Sequence, residues 1–307
     1  MNSNLLDRVV RSKVLWTLWA CLPVAALAWA FGPGHAVFER DRAARLIESA
    51  RVAEARAEVA QAAAHAAHRA ALAARLRAEE TGSSADFAEA TAAREAEDAA
   101  YLTAAEQWRA VAEPLGQARS ILEAIGDPRV PKVRVARAKA LVRSGELLEG
   151  VVELEAVVDE LSSRGSASDP ATGGLLEEAR HELGTGLFFG ARLLRHAGAS
   201  PEEWGAVATA ARRQFRFLAE SGRERGSERF DEHHHNLEMA LDLEQASYEE
   251  ILGRPLPKQC PGTSNCQNQC KSLAGHCKGK SKGKRPAPRK GDDRSTGAGN
   301  NEFGDGW

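Results

Sequence analysis

Gly174–Glu220 reads GLLEEARHELGTGLFFGARLLRHAGASPEEWGAVATAARRQFRFLAE, and its pattern decides the fold. Leu175, Leu176, Ala179, Leu183, Leu187, Ala191 and Leu194 recur mostly at spacings of three and four, which puts them on one face of a helix. Gly198 supplies a stop, and Ser200-Pro201-Glu202-Glu203 restarts the chain as helix. Ser200 is placed to cap the free N–H groups. Pro201 takes the first helical position, where its missing N–H costs nothing. The two glutamates sit at the positive end of the helix dipole. The second helix carries Trp204, Val207, Ala211, Phe215 and Leu218 on one side. A loop this short makes the two helices antiparallel neighbours, with Phe215 in the core beside Leu187 and Phe188.

The pattern recurs upstream in Pro131–Leu161, PKVRVARAKALVRSGELLEGVVELEAVVDEL. Gly145-Glu146 breaks a first helix, and a second starts at once with Leu147, Val151, Leu154 and Val158 inward. Gly145-Glu146-Leu147-Leu148-Glu149-Gly150 resembles the G-D-Y-x-E-A corner of the tetratricopeptide repeat, with Gly150 at the family's small residue. Ala138 and Leu141 stand where that repeat's first helix has its small and large core residues. In the later unit, Leu183-Gly184 with Leu187 resembles L-G-x-x-Y. Ala211, Phe215 and Leu218 resemble the second-helix spacing A-x3-F-x2-A. Arg134 replaces the family's Trp, and extra residues separate the matched halves of the second unit. The resemblance covers about a quarter to a third of the chain and implies a helical-hairpin array with a partner-binding groove. An ordinary helical bundle without a repeat is the other reading of these residues.

The chain has 307 residues and a net charge of −2, which gives no global sign of a nucleic-acid partner. Alanine and arginine abound, aromatics are few, and strand-like alternation is rare, so the expected class is all-α. Arg8, Arg11 and Lys13 precede Val14–Phe31, VLWTLWACLPVAALAWAF, which carries no charge and has tryptophans near both ends. That length just crosses a ~30 Å hydrocarbon core. A single-pass signal anchor is the favoured reading, with residues 1–13 cytoplasmic and the body extracytoplasmic. Arg40, Arg42 and Arg45 on the other side oppose that orientation. A cleaved signal peptide ending near Ala28-Trp29-Ala30 and a lipoprotein signal at Cys21 are the alternatives.

Residues 36–126 have a different character. Ala43, Ala50, Ala57, Ala64, Ala71 and Ala78 recur every seven residues, and Leu46, Ala53, Ala60, Ala67 and Ala74 form the adjoining row. This heptad pattern marks a coiled-coil seam. Val52, Val59, Leu72 and Leu76 add a second stripe. Thr81-Gly82-Ser83-Ser84 makes a turn. A second helix from Ala85 to about Ala112 is expected to face the first through Ala85, Ala88, Ala92, Ala96, Ala99, Leu102 and Trp108. Pro114 ends or kinks it, and Leu115–Ile125 is a further helical piece. An intramolecular antiparallel hairpin is the preferred pairing, and a homodimer through the Ala-rich helix is the alternative.

The array is expected over 128–257. A polar loop, Ser162–Gly173, divides its units. Glu228–Leu252 forms a terminal helix with Phe230, Leu237, Leu241, Tyr248, Ile251 and Leu252, before Gly253-Arg254-Pro255 stops it. Residues 258–307 are rich in Gly, Lys, Ser and Pro and are expected to be a disordered basic tail.

No phosphate loop, nucleophile elbow, HExxH motif or paired-carboxylate site stands out, so neither enzyme nor cofactor is expected. His65 and His68 read as surface residues with no carboxylate beside them, and His233-His234-His235 point in three directions on a helix. Cys260, Cys266, Cys270 and Cys277 offer four sulfurs in the tail. Disulfides or free thiols are preferred there over a zinc site, because paired C-x2-C knuckles are missing. The run Lys278–Lys290 lacks interleaved aromatics, so it reads as solubilising rather than nucleic-acid-binding. With the partner binding that the tetratricopeptide resemblance implies, the expected protein is a membrane-anchored scaffold that binds another protein. A stalk spacing or dimerising envelope components is the runner-up.

Overall fold

The structure is a computed structural model that describes residues 13–31, 33–163, 169–247 and 271–278, all of them helical apart from short turns. The helices are α1 (Lys13–Phe31), α2 (Pro33–Thr81), α3 (Ser84–Ala124), α4 (Val130–Ser144), α5 (Leu147–Ser163), α6 (Pro170–His196), α7 (Pro201–Arg225) and α8 (Phe230–Gln245). Residues 271–278 form a short ninth helix, α9. Each helix from α2 to α8 packs on its sequence neighbour. Short turns make successive pairs antiparallel, an arrangement compatible with a tetratricopeptide-like helical repeat.

α1 forms over the expected apolar run. Its described side chains from Trp16 to Leu27 are all exposed. Among the described residues no helix is long and apolar enough to cross a membrane. The side chains of residues 13–15, 28, 30 and 31, which complete the apolar run, lie outside the description, as do residues 1–12.

α2 and α3 form the long antiparallel hairpin. Ala43, Ala50, Ala57, Ala64, Ala71 and Ala78 are all buried, as the heptad pattern requires. An alanine seam lets the backbones approach closely but removes little apolar area, at ~25 cal/mol per Å². Size comes instead from α3, through Tyr101 and Trp108. The facing row on α3 differs from the expected one. Ala85, Ala88, Ala92, Ala96, Ala99 and Leu102 are exposed, and only Trp108 of that set is buried. The inward row is Glu97, Tyr101, Ala104, Ala105, Trp108, Val111 and Ala112. Alanine occurs on every side of α3 and does not distinguish one side from another; the two aromatics do. Of the second stripe on α2, Val52, Val59 and Leu76 point to solvent and Leu72 is half-buried.

Pro114 does not end the helix; α3 runs through it to Ala124. An interior proline costs about 3 kcal/mol. Leu115 and Leu122 beyond it are buried, and each fully buried leucine contributes about 1.5–3 kcal/mol. The continuation is therefore favourable. The same core passes from Ala43, Ala50 and Ala57 through Trp108 and Leu122 to Val133, Ala140 and Leu141 of α4. Hairpin and array share it.

At that junction Asp127 is almost wholly buried. It accepts from the Arg129 backbone N–H and Nε at 2.9 Å each, and from Arg40 Nε of α2 at 3.0 Å. The Arg129 hydrogen bonds lead in lowering its pKa to about 2, below the ~3.9 of an unfolded aspartate. The stabilisation is therefore complete above that unfolded value and is lost as pH falls through the folded one. In thermal melts of the full chain in detergent, the advantage of wild type over Asp127→Asn should shrink between pH 5 and 2. A difference that stays constant over this range would remove the acid linkage from Asp127.

The array follows its pattern closely. Gly145 closes α4 in the left-handed region at φ 93°, which favours glycine. Leu147, Val151, Leu154 and Val158 are buried on α5. Gly150 lies against α4, where a Cβ would meet Val142 Cγ2 at 2.8 Å and the Ala138 carbonyl at 2.9 Å. That crowding accounts for the missing side chain at the corner. α6 begins at Pro170, capped by Asp169, so the polar loop is shorter than expected. Residues 164–168 of that loop lie outside the described residues. At the start of α7 the Ser200 N–H and hydroxyl both donate to the Glu203 carboxylate at 3.0 Å.

Leu176, Ala179, Leu183, Leu187, Ala191 and Leu194 of α6 share a core with Val207, Ala211, Phe215 and Leu218 of α7. α8 turns His233, Ala240 and Leu243 inward, while Phe230, Leu237 and Leu241 are only half-buried. Tyr248, Ile251 and Leu252 lie outside the described residues. The α8 C-terminus is held by Arg195 of α6, whose Nη1 donates to the Leu243 carbonyl at 2.5 Å. A cation there complements the helix dipole.

Candidate functional site: a helix-lined groove

α5, α6, α7 and α8 enclose a cleft of about 740 Å³. Glu155, Val158 and Asp159 of α5 repeat at helical spacing and share a face, as do Arg180, Leu183 and Leu187 of α6. Trp204, Thr209 and Arg213 of α7 and Glu244 of α8 complete the wall. The floor is apolar and the rim charged. Glu155, Asp159, Glu202 and Glu244 outnumber Arg180 and Arg213, so the rim is net acidic. Several of these charges have partners already. Arg212 donates to Glu244 at 2.7 Å, Arg180 donates to Gln214 at 3.0 Å, and Arg195 stacks 4.7 Å from the Trp204 ring.

The tail supplies part of the wall, through Cys277. Residues 271–278, expected to be disordered, form α9 instead. Leu273, Ala274 and Cys277 are buried in the array core. Gly190 lacks a side chain where Leu273 enters; a Cβ there would clash with Leu273 Cδ2. His276 Nε2 lies 2.6 Å from Glu155 Oε2. An eight-residue stretch is too short to be a stable helix alone, and burial against the array compensates. What overrides composition here is the set Leu273, Ala274 and Cys277, which fall on one helical side.

Of the four tail cysteines, Cys277 is buried in α9, and Cys260, Cys266 and Cys270 lie outside the described residues. So does the basic run beyond Lys278. No group of three or more His, Cys, Asp or Glu able to hold a metal occurs among the described residues. His68 differs from its expected surface position. It is 7% exposed, and its Nδ1 lies 2.8 Å from Glu97 Oε1 inside the hairpin seam. A carboxylate distant in sequence closes the pair, so α2 alone gives no sign of it. His65 is half-buried beside Gln61 at 2.9 Å, and burial lowers its pKa. Of the three consecutive histidines, His233 is inside, 3.0 Å from Glu177 of α6, and His234 and His235 are exposed. His181 of α6 lies with its ring centroid 5.8 Å from that of His233. Burial lowers its pKa too.

Sequence reasoning missed the docking of α9 and both buried histidine–carboxylate pairs. The usable signals were the Leu-Ala-x2-Cys spacing in the tail and the glycine in mid-helix at position 190. No family model, no curated protein and no solved structure matches this chain.

Proposed function

We propose that this protein is a membrane-anchored, tetratricopeptide-like scaffold that binds another protein through its helical array at the cell envelope. One observation carries the reading: the array already packs a short amphipathic helix, α9, into its core beside the cleft, with Cys277 on the cleft wall. An apolar floor with a charged rim suits helix-in-groove recognition. The tetratricopeptide resemblance in the α4–α7 residues agrees with it, at the level of fold analogy.

Support for the anchor comes from the uncharged run of residues 14–31. Trp16, Leu18, Trp19, Leu22, Val24, Leu27 and Trp29 are 57–68% exposed. A helix apolar on all sides requires an apolar environment, and lipid supplies one. The basic residues 8–13 favour a cytoplasmic N-terminus and an extracytoplasmic body. The protein should stay with membranes through a high-salt, alkaline wash. Soluble recovery of a chain starting near Trp29 or Phe31 would replace the anchor by a cleaved signal.

The stalk remains the second reading, favoured by exposed Val52, Val59, Leu76 and Phe87 on the hairpin. At ~1.5 Å per residue, α2 is about 74 Å long. Purification from detergent-solubilised membranes with the full chain as bait separates the two. A scaffold brings down a heterologous protein in defined ratio that is lost when the groove is altered; a stalk brings down only its own copies.

A further inference from the structure

The geometry points to a groove selective for a basic amphipathic helix with a leucine and small residues on its buried face, and to α9 as a tethered competitor for that site. This rests on the scaffold reading and adds the chemistry of the ligand. Three features carry it. First, the Gly190 notch admits Leu273 only because α6 has no side chain there. Ala274 and Cys277 follow on the same side and are also buried. The site is therefore shaped for one large and two small side chains. Second, the charges are complementary. α9 carries Lys271, His276 and Lys278, and His276 meets Glu155 on the acidic rim. Lys278 and Lys271 also lie close enough to Glu203 to help lower its pKa, behind the larger effect of the Ser200 hydrogen bonds. Third, the cleft beside α9 is open: Cys277 lines it together with Trp204, Thr209 and Gln214. A longer helix would cover floor that α9 leaves open.

The energetics favour exchange over permanent closure. α9 is short and buries few side chains. Burial of Leu273, Ala274 and Cys277 holds it in place, and it belongs to the same chain as the groove. An intramolecular ligand can reach an effective concentration in the millimolar range. A free helix that uses the whole groove outcompetes such a ligand once its own affinity is micromolar or better. The basic flanks make capture sensitive to salt, because rim charges are screened within about 10 Å at 0.1 M.

The test uses the full chain in detergent and a fluorescein-labelled, helix-stapled peptide carrying Lys271–Lys278, read by anisotropy. Leu273→Asp expels the tail helix, so it should bind the peptide about tenfold or more tighter than wild type. Adding Gly190→Leu to that variant should abolish binding, and 0.5 M salt should weaken it several-fold. A second variant, Lys271→Glu with His276→Glu, changes only the polar side of α9 and should also open the groove. It keeps the test valid if Leu273→Asp melts early. Equal binding by wild type and both opened variants, or binding by none, would make α9 a fixed structural cap and overturn the proposal. Peptide binding without any heterologous protein co-purifying from membranes would instead leave the groove chemistry standing and count against the scaffold reading.

Discussion

Phe215→Ala should destabilise the array by about 3–5 kcal/mol, the usual cost of emptying a buried phenylalanine site. Phe215 is 3% exposed, and its ring lies on the bare backbone of Gly184, where a Cβ would stand 2.8 Å from Cε1. The His181 ring meets it edge-on at 6.3 Å. No neighbouring side chain can collapse into the vacancy from the Gly184 side, so the cavity term should be near its full size. The phenylalanine shares one core with Leu187, Leu243 and Leu273, whereas the hairpin aromatics Trp108 and Tyr101 belong to others. Hydrogen exchange should therefore rise across α6, α7 and α8 and release α9, while the distal part of the α2–α3 hairpin keeps its protection. Unchanged protection over 170–245 would mean that Phe215 does not hold the array together.

Ala57→Glu and Ala64→Glu should each destabilise the hairpin by several kcal/mol, because each buries an unpaired carboxylate. Both alanines are 0% exposed. Ala57 belongs to the core of Trp108 and Val111, and Ala64 to that of Tyr101 and Ala104. Ala66, exposed on the same helix, is the control. Its change to Glu should stay within about 0.5 kcal/mol. Melting curves followed by circular dichroism distinguish the three. Equal curves for all three would show α2 as a solvated rod with no seam.

The parts of the fold legible in the sequence are those where large apolar residues alternate with polar ones at helical spacing. α4 to α7 are of this kind, and Leu154, Leu183, Val207 and Phe215 fall inside as their spacing requires. The α2 seam was legible for a different reason: its alanines repeat every seven residues without a break from Ala43 to Ala78. On α3 the contrast disappears. Alanine lies on all sides, and the register is set by Tyr101, Trp108 and the buried Glu97, whose partner His68 belongs to another helix. Pro114 shows local propensity overridden by packing, since Trp108 and Val111 before it and Leu115 and Leu122 after it sit in one core. The groove was legible only as a family analogy. Its occupant was not, because tail composition signals disorder and the docking of Leu273 depends on a glycine far away in sequence.

The central claim is that the groove binds a partner at the membrane. The most direct measurement is site-specific photocrosslinking in intact membranes from two positions: Arg213, exposed at the groove, and Phe87, exposed near the hairpin tip. The scaffold account predicts that position 213 crosslinks to one defined heterologous protein and loses it when Gly190→Leu closes the notch, while position 87 gives no comparable product. Crosslinks from position 87 to a second copy of this chain, with none from position 213, would contradict it and establish the stalk.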